Sequence, residues 1–377
     1  MNPIDDGIIL KKNTTSYLPG IIRRFAMKNL IPLLIIMFLL SGCSLLQITC
    51  PMEETIANEV EVRPPVLKYS LVSSLEEIYL ANVLVPDKWS EYYEDADRSA
   101  QEHYQWLKDT YAAMDEDMKD SLVEIFENVS DWKLMDLSTK LSDSCTLDDI
   151  LTLYNSAIFE LPYSVRQNLK KLLPYYYENF FRDYFERHVQ EFEELAEALT
   201  LEAQNYENPY EFIERMSGIE LGDYACLFYF TFKKVGAYGF SYGNLKISTL
   251  QRNVTTIEKL YFTPLHEYSH AFFRTFTNSD EFEDLAEKLK NDTGFYDFWR
   301  ENRNLTRSYP WRSFCEENLV EGFAKFLREK LYEEETHVEI YYYDLDFYLY
   351  LKEIDYNPGT MTLKDVSLDF YRQKLSE

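Results

Sequence analysis

The stretch FTPLHEYSHAFF, Phe262–Phe273, decides how this chain is read. His266 and His270 stand four residues apart, Glu267 directly follows the first, and the whole chain holds only 5 histidines. On an α-helix, positions i and i+4 lie one turn apart on one face, so both imidazoles reach a single ion. Neutral imidazole is a good zinc ligand. A carboxylate beside the first ligand can take the proton of a water that attacks a carbonyl. The His-Glu-x-x-His run is therefore expected to hold Zn2+ through His266 and His270, with Glu267 as general base.

Two helix starts fit the flanks. Thr263 can cap a helix that has Pro264 at its first position. Thr255-Thr256-Ile257-Glu258 offers an earlier capping box, with a kink at Pro264. Leu265, Ala271, Phe272 and Phe273 supply apolar faces either way.

A two-histidine motif needs a third protein ligand. The segment SFCEENLVEGFAKFLREKL, Ser313–Leu331, reads as a helix whose apolar face carries Phe314, Leu319, Val320, Phe323, Phe326 and Leu327. Glu317 and Glu321 lie one turn apart beside that face, which suits a ligand and the group that orients one. Glu316, one position round, reads as surface. A His-Glu-x-x-His motif followed by Glu-Gly-Phe-Ala resembles the gluzincin metallopeptidases, including the aminopeptidase N type. That resemblance implies a zinc peptidase with His266, His270 and Glu321 as ligands. The thermolysin-type pattern, Glu-x-x-x-Asp, instead matches Glu317 to Glu321, so that Glu317 binds zinc and Glu321 orients His266. Glu321 is the preferred ligand. The Glu-x-Leu-Val run is also similar to an uncharacterised bacterial HExxH family. More residues separate His270 from Glu321 than in the aminopeptidase N type, and no Gly-Ala-Met-Glu-Asn motif precedes them, so free-amine recognition is not implied.

The same resemblance implies an antiparallel edge strand above the metal that pairs with an extended peptide, and Gly243–Thr249 is the nominee. It also implies a Tyr or His that stabilises the oxyanion. His337, Tyr341, Tyr342 and Tyr343 stand in THVEIYYYD, Thr336–Asp344, although a Tyr-rich strand packed on the core is the plainer reading of that run.

The amino-terminal segment sets the compartment. Arg23, Arg24 and Lys28 precede an apolar run from Leu30 to Leu40, too short for a comfortable membrane span. Leu40-Ser41-Gly42-Cys43 resembles the bacterial lipobox, which implies a signal peptide over 1–42, cleavage before Cys43 and a lipid anchor on Cys43. Met27 offers an alternative start. Residues 43–64 read as a tether. The body is then expected at the cell membrane, facing outside the cytoplasm.

Bulk composition narrows the partners. The formal net charge of −27 repels phosphate backbones, so nucleic acid is set aside. Hydrophobic content of 46% is enough for a real core. Aromatic content of 16%, with 31 tyrosines, leaves a rival reading: a surface lipoprotein that binds a solute or cell-wall component through an aromatic cleft. The widely spaced Cys50, Cys145, Cys226 and Cys315 specify no disulfide. Oligomeric state is left open.

Along the body, Pro64–Ser74 suits a short strand, and Ser74-x-x-Glu77 resembles a capping box. Helical spacing follows in SAQEHYQWLKDTYAAM, DEDMKDSLVEIFENV and LDDILTLYNSAIFEL, and across 165–204 with an interruption at Leu173-Pro174. His103 and His188 on these helices read as structural. Strand texture appears in Tyr224–Gly236, and Leu245 and Ile247 alternate with Lys246 and Ser248 as in a half-buried strand. The expected fold is α+β and mostly helical. A helical region over 65–204 precedes a zincin-like metallohydrolase domain over 205–377, with a small mixed sheet, the active-site helix and a peptide or protein substrate.

Overall fold

The computed structural model describes residues 50–52, 59–333 and 335–376. The signal segment, Met27 and Cys43 lie outside the described residues. The body is mostly helical around one four-stranded mixed sheet. Its strands are β1 (Val60–Arg63), β2 (Ala225–Phe230), β3 (Gly239–Tyr242) and β4 (Leu245–Leu250), in the order β1-β2-β4-β3. β1 pairs parallel with β2, β2 parallel with β4, and β3 antiparallel with β4. Among the described residues no helix is long and apolar enough to cross a membrane.

The first strand comes from the segment read as tether. Val60 and Val62 are buried in VEVR, and Pro64-Pro65 end the run because proline cannot donate to a ladder. Pro64–Ser74 is not the strand expected: a helix runs Leu67–Tyr79. Leu67, Leu71, Leu75 and Ile78 recur at helical spacing, and burial on nearly every side masks any polar face. Ser74 is no cap. It sits inside this helix and returns its hydroxyl to the carbonyl of Ser70, 2.6 Å away.

The expected break at Pro174 is a change of pitch rather than an end. Helix Tyr163–Tyr176 contains Pro174 and passes through a π turn, Tyr177–Phe181, on its way to helix Glu193–Ala203. Proline lacks the N–H for an α bond, and the wider turn follows it directly. Thr200 then bonds the backbone N–H of Val62 at 2.8 Å, so this helix braces β1. Segments before and after residue 205 thus share one sheet.

β4 is interior, not half-exposed. All six of its residues are buried, because β2 and β3 flank it and helices cover its faces. The nominated peptide-pairing segment Gly243–Thr249 is therefore corrected. The antiparallel edge strand is β3, joined to β4 by the two-residue turn Gly243-Asn244. Thr336–Asp344 is also not a strand but an irregular segment leading into helix Asp344–Glu353.

That segment is locked onto helix Trp311–Tyr332, called here the glutamate helix. Asn318 accepts backbone N–H bonds from Tyr342 and Tyr343 at 3.0 and 2.6 Å. Asp344 accepts from Ile340 at 2.9 Å and from Tyr341 at 3.2 Å, and pairs with buried Lys325 at 2.6 Å. Gly322 makes this approach possible: a Cβ there would lie 2.6 Å from the carbonyl oxygen of Asp344 and 3.0 Å from Phe347 Cβ. Backbone cannot yield as a flexible side chain can. Gly322→Ala is expected to destabilise the fold by about 1–3 kcal/mol through overpacking. A shifted midpoint in denaturant unfolding checks this, and an unchanged midpoint contradicts it.

Candidate metal centre

The motif lies on a helix that starts at Ile257, with Thr256 as N-cap. The earlier of the two expected starts is the one adopted. Pro264 sits inside it, and Tyr268 closes onto the Pro264 carbonyl at 2.9 Å before the chain continues as Ser269–Thr277. Packing explains the course of this motif helix. Leu260, Tyr261, Leu265, Phe272 and Phe273 are fully buried. Tyr268 shares a 2.8 Å hydrogen bond with Ser248 on β4, and Phe273 meets Phe323 of the glutamate helix edge-on.

These contacts bring the two helices' polar groups face to face. His266 Nε2 is 3.3 Å from one carboxylate oxygen of Glu317, and His270 Nε2 is 3.5 Å from the other. Donors about 2.0–2.2 Å from one tetrahedral ion are about 3.3–3.6 Å apart, so these separations suit a shared cation. One atom from each of His266, His270 and Glu317 falls within 4.8 Å of the others, and the three form a group that could hold a metal ion.

The outward nitrogens are also held. His266 Nδ1 is 2.8 Å from Glu321, and His270 Nδ1 is 2.7 Å from Glu316. Glu316 also accepts the hydroxyl of Thr277, and Glu321 binds Lys325 at 2.8 Å and Arg328 at 2.7 Å. A carboxylate on the far nitrogen fixes the tautomer of a ligating imidazole and aims its other nitrogen. The preference for Glu321 as third ligand is thus not the arrangement found. One helical turn separates the two glutamates, and the turn carrying Glu317 is the one level with both Nε2 atoms.

Glu316 was the residue that sequence reasoning missed. It is 8% exposed, not surface. The signal was present: bulky apolar residues from Trp311 to Leu327 surround the helix rather than line one stripe, as expected of a helix buried all round. Among the nominated aromatics, Tyr341 alone approaches the group, its hydroxyl 3.5 Å from Glu317. His337 lines a separate cavity beside Arg328 and Phe262. His103 is buried between Glu77 and Tyr184, and His188 bonds Glu191. All four cysteines within the described residues are free thiols.

Glu267 lines a cleft of ≈ 320 Å³ together with Gly239, Lys246, His270, Arg274 and Trp132. Edge strand β3 passes directly over it: a Cβ on Gly239 would lie 2.9 Å from Glu267 Cβ. Glycine lets the strand come that close.

The charges are strongly coupled. Burial disfavours the imidazolium of His266, but the Glu317 and Glu321 carboxylates outweigh it and push the group up to about 10. Burial likewise opposes ionisation of Glu317, yet the two imidazoles hold it down at about 2. Glu321 is held low against burial by His266, Arg328 and Lys325. Burial raises Glu267 above the ordinary carboxyl value, against the two imidazoles.

Comparison with protein-family models, with curated proteins and with solved structures gives no match.

Two measurements follow from that geometry. Glu317→Gln should abolish tight metal binding, whereas Glu321→Gln and Glu316→Gln should each weaken it by about 10–100-fold. Competition with a chromophoric chelator ranks the three, and a greater loss in Glu321→Gln would reverse the order. Because a metal ligand must be a neutral imidazole, a cation competes with the proton on His266 below about pH 10. Metal affinity should then rise with pH, and binding should release protons. Calorimetry in buffers of different ionisation enthalpy reads this directly, and affinity that is flat between pH 6 and 8 would contradict it.

Proposed function

We propose that this chain is a gluzincin-like zinc metallohydrolase acting on peptide bonds, held at the cell membrane by lipid on Cys43 and facing outside the cytoplasm. One observation carries the reading: two imidazoles and a carboxylate converge from two packed helices, each imidazole held from behind by its own glutamate. An arrangement of this kind is costly to bury for mere packing, and the donor set is that of catalytic zinc sites. In this reading His266, His270 and Glu317 hold the ion, and Glu321 and Glu316 orient the imidazoles. That is the Glu-x-x-x-Asp plan with glutamate in the aspartate position. The membrane anchor rests on the apolar run and Leu40-Ser41-Gly42-Cys43 alone.

A bound zinc ion supplies Lewis acidity, which acidifies water and polarises a carbonyl. The chain's own residues do the rest. Glu267, raised by burial, takes a proton at its carboxylate and returns it to the leaving amine. β3 offers an edge on which an extended peptide can lie beside Glu267. The Tyr341 hydroxyl lies 3.5 Å from Glu317, and in this reading it donates to developing negative charge.

The decisive test is Glu267→Gln. It should keep stoichiometric zinc and lose about 10²–10⁴-fold in kcat on a mixed peptide library. A variant with full zinc and undiminished hydrolysis would remove Glu267 from the mechanism and the peptidase reading with it.

A further inference from the structure

Lys246 lines the cleft, and the proposed mechanism leaves its chemistry unused. It lies on interior strand β4, two residues from Ser248 and on the same face, toward the motif helix. The side chain is 7% exposed. Its ammonium lies 4.3 Å from the ring centre of Tyr224 and 4.6 Å from that of Tyr210, and it donates to Ser241 of β3 at 3.1 Å. Among the described residues no carboxylate lies within ion-pairing distance of it. The other buried lysines differ: Lys68 pairs with Asp143, Lys233 with Asp131, and Lys325 with Asp344.

A lysine ammonium has three donors, and one hydroxyl takes only one. Burying such a group without a counter-charge is costly, and two aromatic faces offset part of that cost. The burial also pulls its pKa below the usual lysine value. Lys246 lines the cleft that Glu267 and His270 line, and its ammonium bonds Ser241 of the same lining. Arg274, one turn beyond His270, stands over the same cleft with its side chain 60% exposed, its nearest carboxylate being Glu316 at 3.4 Å. Two cationic residues thus line a space beside the proposed reacting centre. Glu267 and Asp136 line the same space, and neither lies within ion-pairing distance of Lys246.

We infer that Lys246 is a specificity residue that binds a carboxylate of the substrate, with Arg274 as a weaker second cation at the cleft mouth. The inference rests on the reading of this site as a peptidase. Two sources share the chemistry: the C-terminal carboxylate of a peptide, or an Asp or Glu side chain. The cleft volume of ≈ 320 Å³ is at the small end of ligand sites, which suits a short segment bearing the charge.

The test uses small probes on the zinc-loaded protein. N-acetyl-phenylalanine is compared with its amide, and N-acetyl-aspartyl amide with N-acetyl-asparaginyl amide, by calorimetry. One acid should bind on the order of 10–100-fold tighter than its neutral twin, and which pair discriminates identifies the source. In Lys246→Met, which keeps an apolar stem against Tyr210 and Tyr224, that ratio should fall close to one at unchanged zinc content. Equal binding of acid and amide by the wild-type protein overturns the inference without any variant. So does an acid preference that survives in Lys246→Met, since it would report binding to the metal alone. Acid discrimination without hydrolysis of any peptide would keep the carboxylate site and remove the peptidase reading. Hydrolysis without discrimination would do the reverse.

Discussion

Everything near the centre follows from one electrostatic constraint. Glu316, Glu317 and Glu321 are buried on one helix, and buried carboxylates are tolerated only when cations and donors meet them. His266 and His270 answer from the motif helix, and Lys325 and Arg328 from the glutamate helix itself. Removing any one partner leaves a charge in a medium that solvates it poorly. The two helices are therefore bound in register as well as packed by Phe273 on Phe323. The same requirement extends outward. Lys325 needs Asp344, Asp344 gathers the backbone of Ile340 and Tyr341, and Gly322 supplies the clearance.

A second buried network fixes the opposite wall of the cleft. Asp131, at the start of helix Asp131–Ser138, pairs with Lys233 at 2.8 Å and accepts the hydroxyl of Tyr238 at 2.8 Å. Tyr238 directly precedes β3, and Trp132 stacks on Phe240 within that strand. The helical region before residue 205 is thus part of the site's construction. It holds the edge strand and contributes Trp132 and Asp136 to the cleft.

The sequence was most legible where chemistry and periodicity coincide. His-Glu-x-x-His, the glutamate helix and the strand texture after Tyr224 all stand where they were expected. It was least legible where burial on every side erases the polar face that pattern reading depends on. Pro64–Ser74 looked like a strand, β4 looked half-exposed, and Glu316 looked like surface for that one reason. Which glutamate of Glu-x-x-x-Glu stands level with both Nε2 atoms is not legible in the sequence, since one turn of axial offset decides it.

What the sequence determined by itself was a set of side chains: two imidazoles one turn apart, a carboxylate beside the first, and glutamates on a second helix. Local spacing along a helix is a covalent property, so it can be read without a fold. What only the tertiary structure decided was which of them meet. Glu317 faces both Nε2 atoms, Glu321 and Glu316 stand behind the rings, β3 rather than β4 forms the edge, and Lys246 enters the cleft. Each of these depends on how far one element slides along another. That sliding is set by side-chain volume and buried charge, and neither is written in the spacing of a single segment.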